Sequence, residues 1–409
     1  MSASPASISE SALTTNVRLY PWYQSASSVL PWLPVFFLYF NQYVTLSDAL
    51  RLGAIYYLAV FILEVPSGYL SDKLGRRAIL LMSSVFLLLA YGTFLWADNF
   101  DTLLVAQLFL AAGIAFQSGS DSALLYDSLA ALSRESEYTR HEARSQQYSM
   151  IALALSTLAG GILGSFNLAL PYAMATVAAF ATLLLTWKFS EPMASKNSNS
   201  FVLQLGQCLK YLTDLRLLWI TCFFLLSYAL AHVPYEFYQP YIRLLGDFQI
   251  TAWLAADSAP LVAGIVTAIS MSGGAIGAAV SVPLTERFKL KAVLLGSLVM
   301  QCVIIGAMAL LLHPAILLLV MCRGFPMSLV HGPMMGVIAP LIDTNHRATF
   351  LSIQSLINRL SFSMLLFVLS ALSGAGLALM WGTLSQLIMI CLGVGLMGFI
   401  MLAISSRHL

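Results

Sequence analysis

Charge is scarce in this chain: Asp, Glu, Lys and Arg fill 9% of 409 positions, against 59% for apolar residues. A water-soluble domain carries about 25% charged residues, so a soluble exterior is excluded and the expected solvent is lipid. Cysteine is rare too. Cys208, Cys222, Cys302, Cys322 and Cys391 form no CxxC pair and no His/Cys spacing of a metal site, and they read as small buried apolar side chains. No GxxxxGK[ST] loop is present to cradle ATP, and HExxH and GxSxG are missing. Hydrolytic and ATP-driven chemistry therefore drop out, no cofactor or metal is expected, and the chain is read as a non-enzyme. The net charge of +2 is uninformative, and no nucleic-acid partner is expected. The polar amino-terminal stretch lacks a basic region ahead of a short apolar core, so no cleaved leader is expected, and no lipidation motif is present.

What fills the chain instead is long apolar runs. A spanning helix needs about 20 such residues, and irregular backbone cannot face hydrocarbon. Twelve segments are predicted, near 19–40, 49–70, 78–97, 102–126, 147–166, 169–189, 217–241, 259–283, 291–312, 315–340, 349–371 and 377–403. The cations sort by side. Lys73, Arg76, Arg77, Arg134, Arg140, Arg144, Lys188, Lys196, Lys210, Arg216, Arg287, Lys289, Lys291 and Arg347 share one set of loops, and only Arg51 and Arg243 fall in the other. The positive-inside rule then places both termini in the cytoplasm of a multi-pass inner (plasma) membrane protein.

The chain also repeats itself. SGYLSDKLGRRAILL, from Ser67 to Leu81, aligns without a gap on SVPLTERFKLKAVLL, from Ser281 to Leu295, so that Asp72 meets Glu286, Lys73 meets Arg287 and Arg77 meets Lys291. Gln107 matches Arg323, and Asp127 matches Asp343. The polar stretch SEPMASKNSNS between the two copies predicts a division into residues 1–189, a linker at 190–216, and residues 217–409. The second half carries an added external segment, YIRLLGDFQITAWLAADSAP, read either as a lid or as a long surface loop.

A loop of the form G-x-x-x-D-[RK]-x-G-R-[RK] between the second and third segments, its degraded copy between the eighth and ninth, and twelve helices in two parallel halves resemble the major facilitator superfamily over essentially the whole chain. SGSDSALLYDSL, FYQPYI and RATFLSIQS are similar to a bacterial subgroup of drug and small-molecule efflux proteins. The resemblance implies an all-α fold of two pseudo-symmetric six-helix bundles acting as a single chain. It also implies a cytoplasmic gate in which Asp72, Arg76, Arg77 and Asp127 form a charged network, Gly68 and Gly75 permit close approach and a sharp turn, and Glu286, Lys289, Lys291 and Asp343 form a weaker counterpart. The alternative for both clusters is an ordinary solvated loop. GxxxG pairs at Gly160/Gly164 and Gly273/Gly277 suggest close packing, which the family architecture would place between the fifth and eighth helices. Two departures from the subgroup stand out: Gln107 replaces the expected arginine of the fourth helix, and no proline precedes Gly160.

An ionisable side chain within lipid costs a few kcal/mol, so each needs a partner, a wet cavity or a task. Glu64 lies about 12 Å and Asp121 about 9 Å inside the cytoplasmic boundary at 1.5 Å per residue. Arg359 and His331 lie about 18 Å deep, near the midplane. Arg323 and Glu236 fall toward the outer ends of their helices. Glu64, Asp121 and His331 are the predicted proton carriers, with the gate or a satisfied core histidine as alternatives. Arg359, Arg323, Tyr235, Tyr238, Gln24 and Asn358 are the predicted solute contacts; for Arg359 the alternative is an inter-helix ion pair. Together these residues predict a proton-coupled secondary transporter working by alternating access. Its expected cargo is a small amphipathic or carboxylate-bearing molecule such as a drug, siderophore or other metabolite, moved outward, with uptake of a nutrient or iron-siderophore as the alternative.

Overall fold

The computed structural model describes residues 10–192, 211, 213–247, 258–342, 344–374 and 379–406. Every regular element among them is helical, as the lack of alternating patterns and the long apolar runs require. In chain order these are α1 (Glu10–Ser27), α2 (Phe36–Phe40), α3 (Leu46–Leu74), α4 (Arg76–Phe94), α5 (Phe100–Gln117), α6 (Ser120–Ala131), α7 (Tyr138–Phe166), α8 (Leu170–Trp187), α9 (Leu215–Asp247), α10 (Ala259–Phe288), α11 (Leu290–Leu310), α12 (Ile316–Met321), α13 (Gly324–Leu341), α14 (Thr344–Leu372) and α15 (Trp381–Ser405). Among the described residues eleven helical stretches are long and apolar enough to cross a membrane, α5–α6 and α12–α13 each counting as one.

The first expected segment, 19–40, departs from a simple rod. It forms as α1 and α2 with irregular chain between them, because Pro31 and Pro34 lack an N–H and block a continuous helix. The backbone groups freed there find side-chain partners. Leu30 N–H donates to Ser156 Oγ (3.1 Å), while Phe37 N–H (2.9 Å) and Leu38 N–H (3.4 Å) donate to Gln239 Oε1. Irregular backbone at membrane depth survives only on such terms. The fourth segment is also interrupted, at Gly119, whose φ of 74° suits glycine and restarts the chain as α6.

The chain divides into two compact units, 1–33 with 55–160 and 169–198, and 34–54 with 161–168 and 199–409. In the first unit α4 packs on α5 and α8. Gly113 sits against Leu87, and Ser83 Oγ donates to the Gly113 carbonyl (2.7 Å). Its core joins Val17, Tyr20 and Tyr23 of α1 to Leu124, Leu125 and Leu129 of α6 and to Phe189. Asn16 is fully buried and fully used: its amide donates to Ser128 Oγ and the Ser190 carbonyl and accepts from Ser190 N–H, which fixes the end of α8. In the second unit α10 packs on α13 and α11 on α15. Gly161 lies on Gly264 and Pro260, while Gly277 lies on Phe325 and Leu329. The GxxxG at Gly273/Gly277 therefore packs α10 on α12 and α13, and the approach of α10 to α7 uses Gly264 instead.

The repeated loop keeps its backbone where it lost its glycine. Gly75 has φ 95°, ψ 156°, and its counterpart Lys289 has φ 66°, ψ 147°, a region that is essentially glycine-only and costs about 1–3 kcal/mol for other residues. Lys289→Gly is expected to raise the melting temperature of the purified protein, read by tryptophan fluorescence on heating; an unchanged or lower value contradicts this account.

Candidate functional site

The first unit holds a polar cluster built on α1, α6 and α7. Because α6 restarts at Gly119, Asp121 occupies its first turn, where unpaired helix N–H groups favour an anion. Asp121 Oδ1 accepts from Ser122 N–H (2.7 Å) and Oδ2 from Gln24 Nε2 (2.9 Å). The same Gln24 amide donates to Tyr20 Oη (2.7 Å), and Tyr20 Oη donates to Glu142 Oε2 (3.1 Å). Two carboxyl groups are thus joined through Gln24 and Tyr20, and neither has an ion pair among the described residues. Hydropathy alone assigns Glu142 to a loop. It lies instead on α7, which begins at Tyr138, well ahead of the apolar run, because an exposed helical turn tolerates charge that the hydropathy window rejects. Glu64 is half-buried on α3 and accepts from Ser118 Oγ (3.1 Å), apart from this hydrogen-bonded chain.

The second unit holds Arg323 and Arg359. Arg323, buried at the start of α13, sits over the Tyr238 ring (4.4 Å) and touches Thr267 Oγ1 at 3.5 Å; its Nη1 has no hydrogen-bond partner among the described residues. Tyr238 Oη and Thr267 Oγ1 share a 2.9 Å hydrogen bond. Glu236 is also buried on α9, with no ion pair among the described residues. Arg359 on α14 is half-buried, within electrostatic range of His232. His232 lies among rings, 3.9 Å from Tyr228, 5.0 Å from Phe362 and 6.1 Å from Tyr235, and Tyr235 stacks on Phe36 (5.6 Å). Asn358, one residue before Arg359, is buried with Oδ1 unsatisfied among the described residues, as is Gln354 Nε2. His232 escaped the sequence reading because nothing in its neighbourhood marks it, and only the approach of α14 to α9 sets a guanidinium near it. His331 is exposed on α13 and makes no hydrogen bond among the described residues, so it belongs to neither cluster.

At the α3–α4 loop three of the four residues expected in the charged network meet within the first unit, while the Arg77 guanidinium instead donates to the Trp187 carbonyl (3.0 Å). Arg76 pairs with Asp72 (2.8 Å) and Asp127 (3.4 Å) and donates to Ser71 Oγ (2.9 Å). One member was not expected: Glu191, just past α8, accepts from Arg76 N–H (2.7 Å) and Arg77 N–H (2.8 Å), capping α4. Burial pushes its carboxyl above the usual range, against these two N–H groups, which favour its charge. A Cβ at Gly75 would fall 2.5 Å from that carboxyl, which gives the glycine a second reason beyond its φ. Gly68 differs, since a Cβ there meets nothing within 4 Å. In the second copy Glu286, Lys289 and Lys291 are exposed and make no ion pair among the described residues, and Asp343 lies outside them. Leu290 stands where Arg76 does in the first copy, so the cation that organises the network is missing.

Long apolar helices that carry buried ionisable side chains define a multi-pass membrane protein. Residues 23–364 match the Major Facilitator Superfamily, and the chain belongs to it. Among solved structures the fold is similar to the nucleoside transporter NupG, with a TM-score of 0.75 at 13% identity over 97% of this chain and 99% of that one. It is also similar to the peptide transporter POT in complex with sulfate (TM-score 0.71, 12% identity, 97% and 94% covered). A third likeness is to a bacterial homolog of the human lysosomal transporter Spinster, inward-facing and occupied (TM-score 0.67, 14% identity, 97% and 96% covered). No curated protein matches the sequence. The protein is a transporter of small-molecule substrates and not an enzyme.

Proposed function

We propose that the protein is a proton-coupled secondary active transporter of the inner (plasma) membrane, an antiporter of the efflux-like subgroup working by alternating access as a monomer with both termini cytoplasmic. Its cargo is a small amphipathic or carboxylate-bearing molecule, a drug, siderophore or other metabolite, and the direction is export. The observation that carries the coupling is Asp121, a carboxyl held by neutral Gln24 with no cation paired to it among the described residues. Such a group changes charge by exchanging a proton and not by breaking an ion pair. Arg359 near the ring cluster of His232, Tyr228 and Phe362 supports an anionic solute with an apolar or planar body, since a guanidinium stays charged and rings accept flat surfaces. Arg323, whose Nη1 has no hydrogen-bond partner among the described residues, adds a second cation to the same unit. Each proton crossing the membrane contributes about 2.3 kcal/mol per 100 mV.

The test is flux into proteoliposomes of a panel of aromatic carboxylates under an imposed pH gradient. Wild-type protein is expected to accumulate at least one of them against the inward proton flow, and Arg359→Gln to lose about tenfold or more of that flux, the worth of one charge-assisted pair. Flux in the same direction as the protons marks uptake, and flux indifferent to the gradient or to Arg359→Gln refutes the reading.

A further inference from the structure

A cavity of about 340 Å³ opens on the first unit between α1 and α7, lined by Arg18, Trp22, Arg134, His141, Arg144 and Tyr148, among others, and by none of the Asp121, Gln24, Tyr20 and Glu142 side chains. Its cations are unequally satisfied. Arg134 makes a two-pronged pair with Glu137 (2.7 Å and 2.7 Å), and His141 reaches the same carboxylate at 3.5 Å. Arg18 and Arg144 have no carboxylate within ion-pair distance among the described residues. Arg144 donates only to Tyr148 Oη, from Nε at 3.3 Å and Nη2 at 3.0 Å. Trp22 is 60% exposed, and its ring is 6.1 Å from that of Tyr148. Two guanidiniums with no carboxylate partner among the described residues, beside two amphipathic rings, describe a seat for a phosphate.

The helix that carries Arg144 says what is attached to the phosphate. At 3.6 residues per turn, Arg144, Tyr148, Ile151 and Leu155 fall on one face of α7 within about 60° of each other. Ile151 and Leu155 are 58% and 63% exposed, so the charged groove runs directly into an uncovered apolar track. Glu142 is about 160° away around the helix from Arg144, where it bonds to Tyr20, and does not oppose an anion in the groove.

We propose that this groove binds an anionic membrane phospholipid, with its phosphate between Arg18 and Arg144, its glycerol region against Trp22 and Tyr148, and an acyl chain along Ile151 and Leu155. The inference is independent of the cargo and of the direction of transport. The test uses the purified full-length protein in detergent, titrated with phosphatidylglycerol, phosphatidylcholine or inorganic phosphate while thermal unfolding and native mass spectra are recorded. Phosphatidylglycerol is expected to raise the melting temperature and remain bound in the spectrum, an effect that 0.5 M salt weakens, while the other two leave the protein unchanged. Arg18→Gln with Arg144→Gln is expected to weaken phosphatidylglycerol binding about tenfold or more, at roughly 1 kcal/mol per basic residue. Arg216→Gln, an exposed arginine at the start of α9, keeps wild-type binding and controls for total charge. Equal response to both lipids, stabilisation by inorganic phosphate alone, or wild-type binding by the double variant overturns the proposal. Should the double variant not fold, salt-insensitive binding of phosphatidylglycerol to the wild type overturns it as well.

Discussion

Asp121→Asn is expected to abolish accumulation of solute driven by a pH gradient while leaving exchange of labelled for unlabelled solute in place. Asparagine matches aspartate in size and keeps the acceptor that Ser122 N–H uses, so the start of α6 is preserved. The Gln24 amide can turn to present its oxygen to the new NH2, which preserves the link between α1 and α6. What is removed is the exchangeable proton. A gradient of one pH unit is worth about 1.36 kcal/mol per proton, a tenfold concentration ratio at one proton per solute, and the variant should fall from that ratio to none. Exchange needs only binding and reorientation and is expected to persist within about threefold. Glu142, reached from Asp121 through Gln24 and Tyr20, is the second carboxyl of the same chain of contacts. Glu142→Gln is the companion measurement: slower gradient-driven transport with the final ratio unchanged marks it as a relay and not as the carrier. Full accumulation by Asp121→Asn removes Asp121 from the coupling step.

Gly160→Val is expected to be the most damaging single substitution in the first unit. A Cβ at Gly160 would overlap the Pro31 carbonyl, which belongs to the irregular stretch between α1 and α2. Neither side can yield easily: Gly160 lies inside the 29-residue helix α7, and the break in the first segment is held by Leu30 N–H on Ser156 Oγ. Overpacking of this kind costs about 1–3 kcal/mol where side chains can move and more where backbone must. The measurable result is loss of the monodisperse, heat-resistant fraction in detergent. Gly92→Ala is the control, since a Cβ there meets nothing within 4 Å and alanine favours helix by about 1 kcal/mol. Equal stability of the two variants contradicts the packing at Pro31.

Several features were visible before any coordinates. The helical class follows from apolar runs, because lipid leaves the backbone only its own hydrogen bonds. The α3–α4 loop was visible as a motif, and Asp72, Arg76 and Asp127 meet there. The Asp121–Gln24 contact joins two residues singled out separately, one as a proton carrier and one as a solute contact. Glu191 was invisible in its role, because capping α4 depends on where α8 ends and not on any neighbour in sequence. His232 and Glu142 were missed for related reasons: one gains its surroundings from α14, the other from a helix that outlasts its apolar run. His331 is exposed on α13 and joins neither cluster, since near-neutral chemistry and mid-depth position carry no information about which way a helix face turns.

Composition, the repeated loop and the placement of cations are properties of short stretches in a given solvent, and they suffice to reveal a membrane transporter of the Major Facilitator Superfamily. Which buried ions meet, where helices break and which glycines touch backbone are long-range matters. Gln24 finds Asp121, Gln239 receives the broken backbone at Phe37, and Gly160 admits Pro31 only because packing aligns separate helices in rotation and depth. Hydropathy constrains that alignment weakly, since every apolar face is equally content against lipid or against another helix.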